Sequence, residues 1–364
     1  MDSAVSEREQ KVLRIIETAR AKRPRFKDET VTMAHGAGGK ATQTLIEGLL
    51  VPALAKEGET LEQMGDAGVV TIDDLGIAIS TDSYVVRPLR FPGGSIGELA
   101  VNGTANDLAV SGARPRALSL SLILEEGLPA DVLRAEVEAI ASAAEAADVE
   151  IVTGDTKVVE RGHADGMYIS TAGIGKLDPR GTLSPQGLRP GDRVLVSGTV
   201  GDHGSAIMLA RDEFSLDAEI LSDTRPLWPA VDALLDAAGD ALHCIRDATR
   251  GGVASVLNEL ARSSGVSIGV REGDVPVNSA VAGAAEMLGI DPMYVANEGK
   301  LVAFVAPERA EEALASLRSI PGCEDAAEIG EVKTEPPGMV LVETAFGGRR
   351  VMDQLVGDPL PRIC

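Results

Sequence analysis

The stretch from Arg116 to Lys176 constrains this chain most. Ala117-Leu118-Ser119-Leu120-Ser121-Leu122 alternates small polar with apolar residues at period two, the signature of a half-buried strand over Arg116 to Glu125. Pro129 to Ala147 follows as an Ala-rich helix with proline near its start. A second strand is expected at Glu150 to Thr153, delivering a Gly154-Asp155-Thr156-Lys157 turn, and a third at Met167 to Lys176. Strands separated by a helix of this length require an α/β fold.

The same theme recurs on both sides. Val69 to Ile72 and Ile77 to Thr81 flank Asp73-Asp74-Leu75-Gly76 as a hairpin, and the second strand runs into Asp82. Glu98 to Ser111 reads as a helix carrying Asn102, Asn106 and Asp107 among small apolar residues, where polar groups are costly to bury without partners. Beyond a boundary at about 178–190, strands are expected at Arg193 to Ser197, Ser267 to Arg271, Leu301 to Val305, near Ala327 to Val332 and at Met339 to Val342. Helices are expected at Gly204 to Arg211, Pro226 to Ala238, Val253 to Ser263 and Pro307 to Arg318. A chain of 364 residues exceeds one ordinary core and implies two domains. The resulting division is an N-terminal extension (1–30), an α/β domain (31–180), a second α/β domain (181–345) and a mobile tail (346–364).

Composition removes several classes of function. A net charge of −22 repels a nucleic-acid backbone, and 2% aromatic residues leave few platforms for bases. No apolar run approaches the ~20 residues of a membrane span. The charged N-terminus lacks a signal-peptide apolar core, so a cytoplasmic protein is expected. Cys244, Cys323 and Cys364 form neither a disulfide framework nor a metal cluster. Cys244 and Cys323 read as small buried hydrophobes. The basic run from Arg20 to Lys27 reads as part of a solvated extension, and Ser6 to Lys22 as a short helix.

Several motifs point to chemistry. His35-Gly36-Ala37-Gly38-Gly39-Lys40 precedes a helix (Thr42 to Leu50), so its backbone amides can approach an anion, although the spacing is not that of a P-loop. Four separated aspartates, Asp82, Asp107, Asp155 and Asp247, each lie beside Gly, Thr or Asn at expected element ends. Carboxylates so placed suit Mg²⁺ shared with substrate phosphates. Ile245-Arg246-Asp247-Ala248-Thr249-Arg250-Gly251-Gly252 opens a helix and is a second phosphate or cation candidate. The chain stops at Pro361-Arg362-Ile363-Cys364, a thiol on a Gly- and Pro-containing arm.

Val101 to Ala109, Gly154 to Lys157, Pro190-Gly191-Asp192, Asp247 to Gly252, Asn297-Glu298-Gly299-Lys300 and the Pro-Arg-Ile-Cys end together resemble the HypE family, the carbamoyl dehydratases of [NiFe]-hydrogenase maturation. The resemblance covers residues 30 to 364 in order, and the terminal motif is its most specific part. It implies the two-domain ATP-binding fold of aminoimidazole ribonucleotide synthetase, selenophosphate synthetase and thiamine-monophosphate kinase, relatives without the terminal cysteine. It also implies that a HypF-type carbamoyltransferase loads Cys364, and that ATP with Mg²⁺ then dehydrates the S-carboxamide to an S-cyanide. The cyanide passes to iron on a HypC–HypD scaffold. A homodimer is implied, with N-terminal sheets pairing to build the ATP cleft.

On that reading Asp82, Asp107, Asp155 and Asp247 hold the cations. Gly36, Gly38, Gly39, Asn106, Thr156, Thr249 and Gly251 contact the nucleotide. The reaction needs a base near the amide nitrogen, for which Glu298 and Lys157 are the candidates and His35 a third. Two alternatives stand beside it: another ATP enzyme of the superfamily acting on a free small molecule, and a non-catalytic scaffold that docks a partner through its acidic surface and tail.

Overall fold

The computed structural model describes residues 25–54, 65–211, 219–355 and 362–364. The helix expected at Ser6 to Lys22 and the two terminal prolines lie outside them.

The first half is a five-stranded sheet in the order β1-β2-β7-β5-β6, built from β1 (Gly68–Ile72), β2 (Leu75–Tyr84), β5 (Ala113–Glu125), β6 (Glu150–Val159) and β7 (Met167–Leu177). The first two form the expected antiparallel hairpin, and β5 runs parallel to β6 because a helix carries the chain between them. That helix, α3 (Ala130–Ala146), packs with α2 (Ile96–Val110) on one face of the sheet; α1 (Lys40–Leu45) precedes both. Along β7 the inward residues Met167, Ile169 and Thr171 are buried, whereas Ile174 faces the opposite way and is paired with an equally exposed Ile79. Period-two patterning therefore buries one face only. Between β2 and α2 lies a two-residue ribbon, β3 (Arg90–Phe91) with β4 (Gly94–Ser95).

The second half is a seven-stranded sheet ordered β14-β13-β10-β12-β8-β11-β9. Its strands are β8 (Arg193–Val196), β9 (Leu242–Asp247), β10 (Ser267–Arg271), β11 (Leu301–Val305), β12 (Ala327–Lys333), β13 (Met339–Glu343) and β14 (Arg349–Met352). Helix α6 (Gly252–Ser264) covers one face, through Val253, Leu257 and Leu260. Helices α5 (Trp228–Ala238) and α8 (Ala310–Arg318) cover the other, through Leu234, Leu235 and Leu317. Every residue of β11 is consequently buried, which explains its unbroken apolar run. Helices α4 (Asp202–Ala210) and α7 (Ser279–Leu288) lie in the second half, and Val51–Leu54 is a further single helical turn in the first.

Three expectations need correction. Gly154 to Lys157 is not a turn: its residues continue β6, Asp155 opposite Ser121 and Lys157 opposite Ile123, because the parallel pairing with β5 extends to Val159. Helix α7 was not anticipated, since Gly283 and a run of alanines blur its periodicity. The stretch from Phe346 is not all arm: Arg349–Met352 pairs antiparallel with β13 and closes the sheet edge.

Candidate active site

The two halves meet over an acidic cleft. Asp107, near the C-terminal end of α2, Asp247, at the end of β9, and Asp66, just before β1, place carboxylate oxygens within 4.8 Å of one another. Burial first, then the neighbouring carboxylates Asp247, Asp82 and Asp66, hold the Asp107 pKa well above the usual carboxylate range; Ser80 Oγ opposes this weakly by donating to it at 2.5 Å. Asp247 is raised well above that range by burial and then by Asp66. Asp66 is raised by burial, against the pull of the Arg246 guanidinium at 2.9 Å. Crowded, half-desolvated oxygen donors of one sign are the donor set of a hard divalent cation.

Asp66 was not singled out from the sequence; its only signal is an acidic residue set in Gly65-Asp66-Ala67-Gly68 at the start of a strand. Asp82 sits beside the cluster, accepting from the Tyr84 hydroxyl at 3.2 Å and raising the pKa values of the other three. Asp155 is elsewhere, exposed on the outer strand β6 and paired with Lys157. Thr156 shares that exposed strand. Within one chain, then, Asp155, Thr156 and Lys157 are not brought to the cluster formed by Asp66, Asp82, Asp107 and Asp247.

Glu298 is placed in the cleft. It is 4% exposed, and its pKa is raised well above the carboxylate range by burial, then by Asp223, Asp247 and Asp82. Its backbone is held from both sides: Asp223 Oδ1 accepts from its N–H at 3.0 Å, and Asn106 Nδ2 donates to its carbonyl at 3.1 Å. Asn106 also donates to the Arg225 carbonyl and accepts from the Leu227 N–H. Its amide thus clamps the second half of the chain onto α2. Asp223 in turn pairs with Lys300 at 3.0 Å.

The glycine-rich loop packs against the start of α6. A side chain at Gly38, whose φ is +75°, would come within 2.9 Å of the Arg250 carbonyl, and one at Gly39 within 2.7 Å of the Leu355 carbonyl. The Gly36 carbonyl accepts from Arg250 Nη1 at 2.8 Å. Gly251, at φ +77°, would clash with Ser255 if it bore a side chain, and Thr249 accepts from the Gly252 N–H in the same turn. His35 has both ring nitrogens engaged, Nδ1 with Thr32 and Nε2 with Asp28 at 3.0 Å, and stacks edge-on to Phe26. It is a structural hydrogen-bonder beside the loop.

The terminal residues lie beside Arg250 and the glycine-rich loop. A cavity of about 320 Å³ is lined by Gly36, Arg250, Gly251, Tyr294, Ile363 and Cys364. The Val85 N–H donates to a terminal oxygen of Cys364 at 3.0 Å, and the Arg87 N–H to the Arg362 carbonyl at 3.3 Å. Arg250 joins tail and acidic cluster: negative charge at Cys364 first, with Asp82 and Glu298, raises its pKa against the opposing effect of burial.

Residues 64–177 match the N-terminal domain of AIR synthase related proteins, and residues 189–342 the C-terminal domain. The carbamoyl dehydratase HypE of Bradyrhizobium diazoefficiens is 48% identical over 92% of this chain and 96% of its own. That of Escherichia coli K12 is 48% identical over 92% and 99%. The chain belongs to the HypE family of carbamoyl dehydratases. A HypE structure in complex with ATP is similar at 45% identity and a TM-score of 0.76, covering 92% of this chain and all of that one. A HypE–HypF complex is similar at 43% identity and a TM-score of 0.80, covering 85% and 99%. The thiamine monophosphate kinase of Aquifex aeolicus, at 20% identity and a TM-score of 0.61, shares the fold. The fold is thus the two-domain AIR-synthase-like α/β architecture that the resemblance implies. No helix among the described residues is long and apolar enough to cross a membrane.

Proposed function

We propose that this enzyme dehydrates an S-carbamoyl group on its own Cys364 to an S-cyanide at the expense of ATP, as a step in hydrogenase maturation. The observation that carries the reading is the seating of the terminal cysteine beside Arg250, whose guanidinium also faces Asp82 and Glu298. The HypE structure with ATP supports nucleotide binding, and the HypE–HypF complex supports a HypF-type partner that loads the thiol. The cyanide passes to a HypC–HypD iron scaffold, in the cytoplasm.

The chemistry follows from the groups present. A carboxamide oxygen is a poor leaving group. Its attack on the γ-phosphorus of ATP expels ADP and converts it to a phosphate ester. Removal of the nitrogen's protons then expels phosphate and leaves the nitrile. Glu298, held by Asp223 and Asn106, is the base suited to those protons. Its raised pKa makes it a stronger acceptor than an ordinary carboxylate once ionised. Asp66, Asp107 and Asp247, with Asp82 beside them, are suited to hold Mg²⁺, which neutralises triphosphate charge when bound. Arg250 faces the developing negative charge near the thiol. Burial of Ile363 and the packing of half-buried Cys364 against apolar neighbours limit the access of water, which would otherwise hydrolyse the carbamate.

Lys157 and Asp155 enter this scheme through a second copy. Ile79, Ile123 and Ile174 are exposed on one face of the first sheet, an apolar surface that fits a homodimer and brings β6 of one copy toward the other. Light scattering reading two copies supports this, and a monomer at micromolar concentration removes Lys157 as a base. The dehydratase reading is tested by Cys364→Ala, which should abolish product while ATP binding survives. Turnover on a free substrate by that variant would instead favour another enzyme of the superfamily. Absence of any ATP hydrolysis by the carbamoylated enzyme would favour a scaffold.

A further inference from the structure

His203 has no part in the chemistry above, yet it is completely buried and lies against the tail. It sits in the first turn of α4, with its ring edge-on to Phe91 at 5.5 Å. Its Nε2 is 2.7 Å from the Ile363 carbonyl. A carbonyl only accepts, so Nε2 carries the hydrogen and donates it. In the neutral ring Nδ1 then accepts from the Ser222 hydroxyl at 2.8 Å. Burial favours that neutral form.

The last three residues are thus gripped by their main chain. The Arg362 carbonyl accepts from the Arg87 N–H and from Arg211 Nη2 at 2.5 Å, the Ile363 carbonyl from His203, and a Cys364 oxygen from the Val85 N–H. Ser222 is adjacent to Asp223, and Asp223 holds the Glu298 N–H and Lys300. One short segment, Ser222-Asp223, therefore supports the tail through His203 on one side and the proposed base on the other.

We propose that His203 is a positioning residue for the reaction: its Nε2–H seats the Ile363 carbonyl, and through Ser222-Asp223 it sets the terminal thiol in register with Glu298. The role rests on Cys364 being the residue the enzyme modifies, but the seating is measurable without that reaction.

The test compares wild type, His203→Ala and His203→Gln, whose amide N–H can replace the Nε2 donor. Iodoacetamide labelling of Cys364 in the full-length, uncarbamoylated protein reads the seating directly. His203→Ala should label about tenfold faster, the loss of one buried hydrogen bond, with His203→Gln in between. Single-turnover dehydration of carbamoyl-Cys364 should fall about tenfold in His203→Ala and recover partly in His203→Gln, while ATP affinity and carbamoylation by the partner stay unchanged. Should His203→Ala fail to fold, Arg211→Ala removes a second carbonyl contact at a less buried position and should also speed labelling. Equal labelling of folded wild type, His203→Ala and Arg211→Ala overturns the proposal. So does a wild-type dehydration rate retained by His203→Ala, which leaves the dehydratase reading standing. Faster labelling with no dehydration by any form, wild type included, supports the seating and sinks the dehydratase reading.

Discussion

Replacing Asp107 by Asn should stabilise the metal-free protein while destroying its response to Mg²⁺ and ATP. The ligand oxygens of Asp66, Asp107 and Asp247 lie within 4.8 Å of one another. At that separation two unit charges repel by about 3–4 kcal/mol at an effective dielectric of ~20. Asn removes two of the three pairs, so full ionisation would set a ceiling of about 7 kcal/mol. Burial and mutual repulsion favour the protonated forms of these carboxylates, which offsets part of that, and Arg246 offsets a further part at Asp66. The remaining gain at neutral pH is on the order of 1–3 kcal/mol, with about 2–4 °C in melting temperature per kcal/mol. Asn still accepts from Ser80, so no hydrogen bond is lost with the charge.

The pH dependence has a definite sign. A carboxylate whose folded pKa is raised contributes stability that is full in acid and lost as pH rises through the raised value. The difference between wild type and Asp107→Asn should therefore open on going from acid to neutral pH and close below the ordinary carboxylate range. Scanning fluorimetry in chelator, then with Mg²⁺ and ATP, reads all of this. A lower melting temperature for Asp107→Asn in chelator, together with an undiminished Mg²⁺ increment, would refute the reasoning.

Other outcomes follow from the same geometry. Asn106→Ala leaves the Leu227 N–H and the Arg225 and Glu298 carbonyls without a partner, and should cost about 1–3 kcal/mol in thermal unfolding. Native iodoacetamide labelling at mildly alkaline pH should reach Cys364 and spare Cys244, whose thiol burial pushes up to about 12. Single-turnover dehydration should rise with pH along a limb above the ordinary carboxylate range, because Glu298 must ionise against burial and three carboxylates; a rate flat from acid to neutral pH would remove Glu298 as the base.

Local patterning made much of the fold readable. The alternation in Arg116 to Glu125 and the apolar run Leu301 to Val305 correspond to strands buried on one face and on two faces respectively. Asp107 and Asp247 stood out because each acid sits beside Gly, Asn or Thr at an element end. Asp66 did not, since its role comes from the return of β1 alongside β2 and the approach of β9, contacts remote in sequence. Asp155 and Lys157 had the right residue types at the right spacing, but the pairing of β6 with β5 carries them to the outer edge of the sheet. Asn106 looked like a ligand residue because it is polar on an apolar helix; the backbone of the other domain satisfies it. His203, Ser222 and Asp223 bear no motif, and only the seated tail gives them meaning.

The central claim is that Cys364 is a residue this enzyme modifies on itself. Mass spectrometry of the C-terminal peptide, after carbamoylation and with or without Mg²⁺ and ATP, tests it most directly. Carbamoyl-Cys364 should lose one water only when Mg²⁺ and ATP are present. An unchanged carbamoyl adduct alongside active ATP turnover would contradict it.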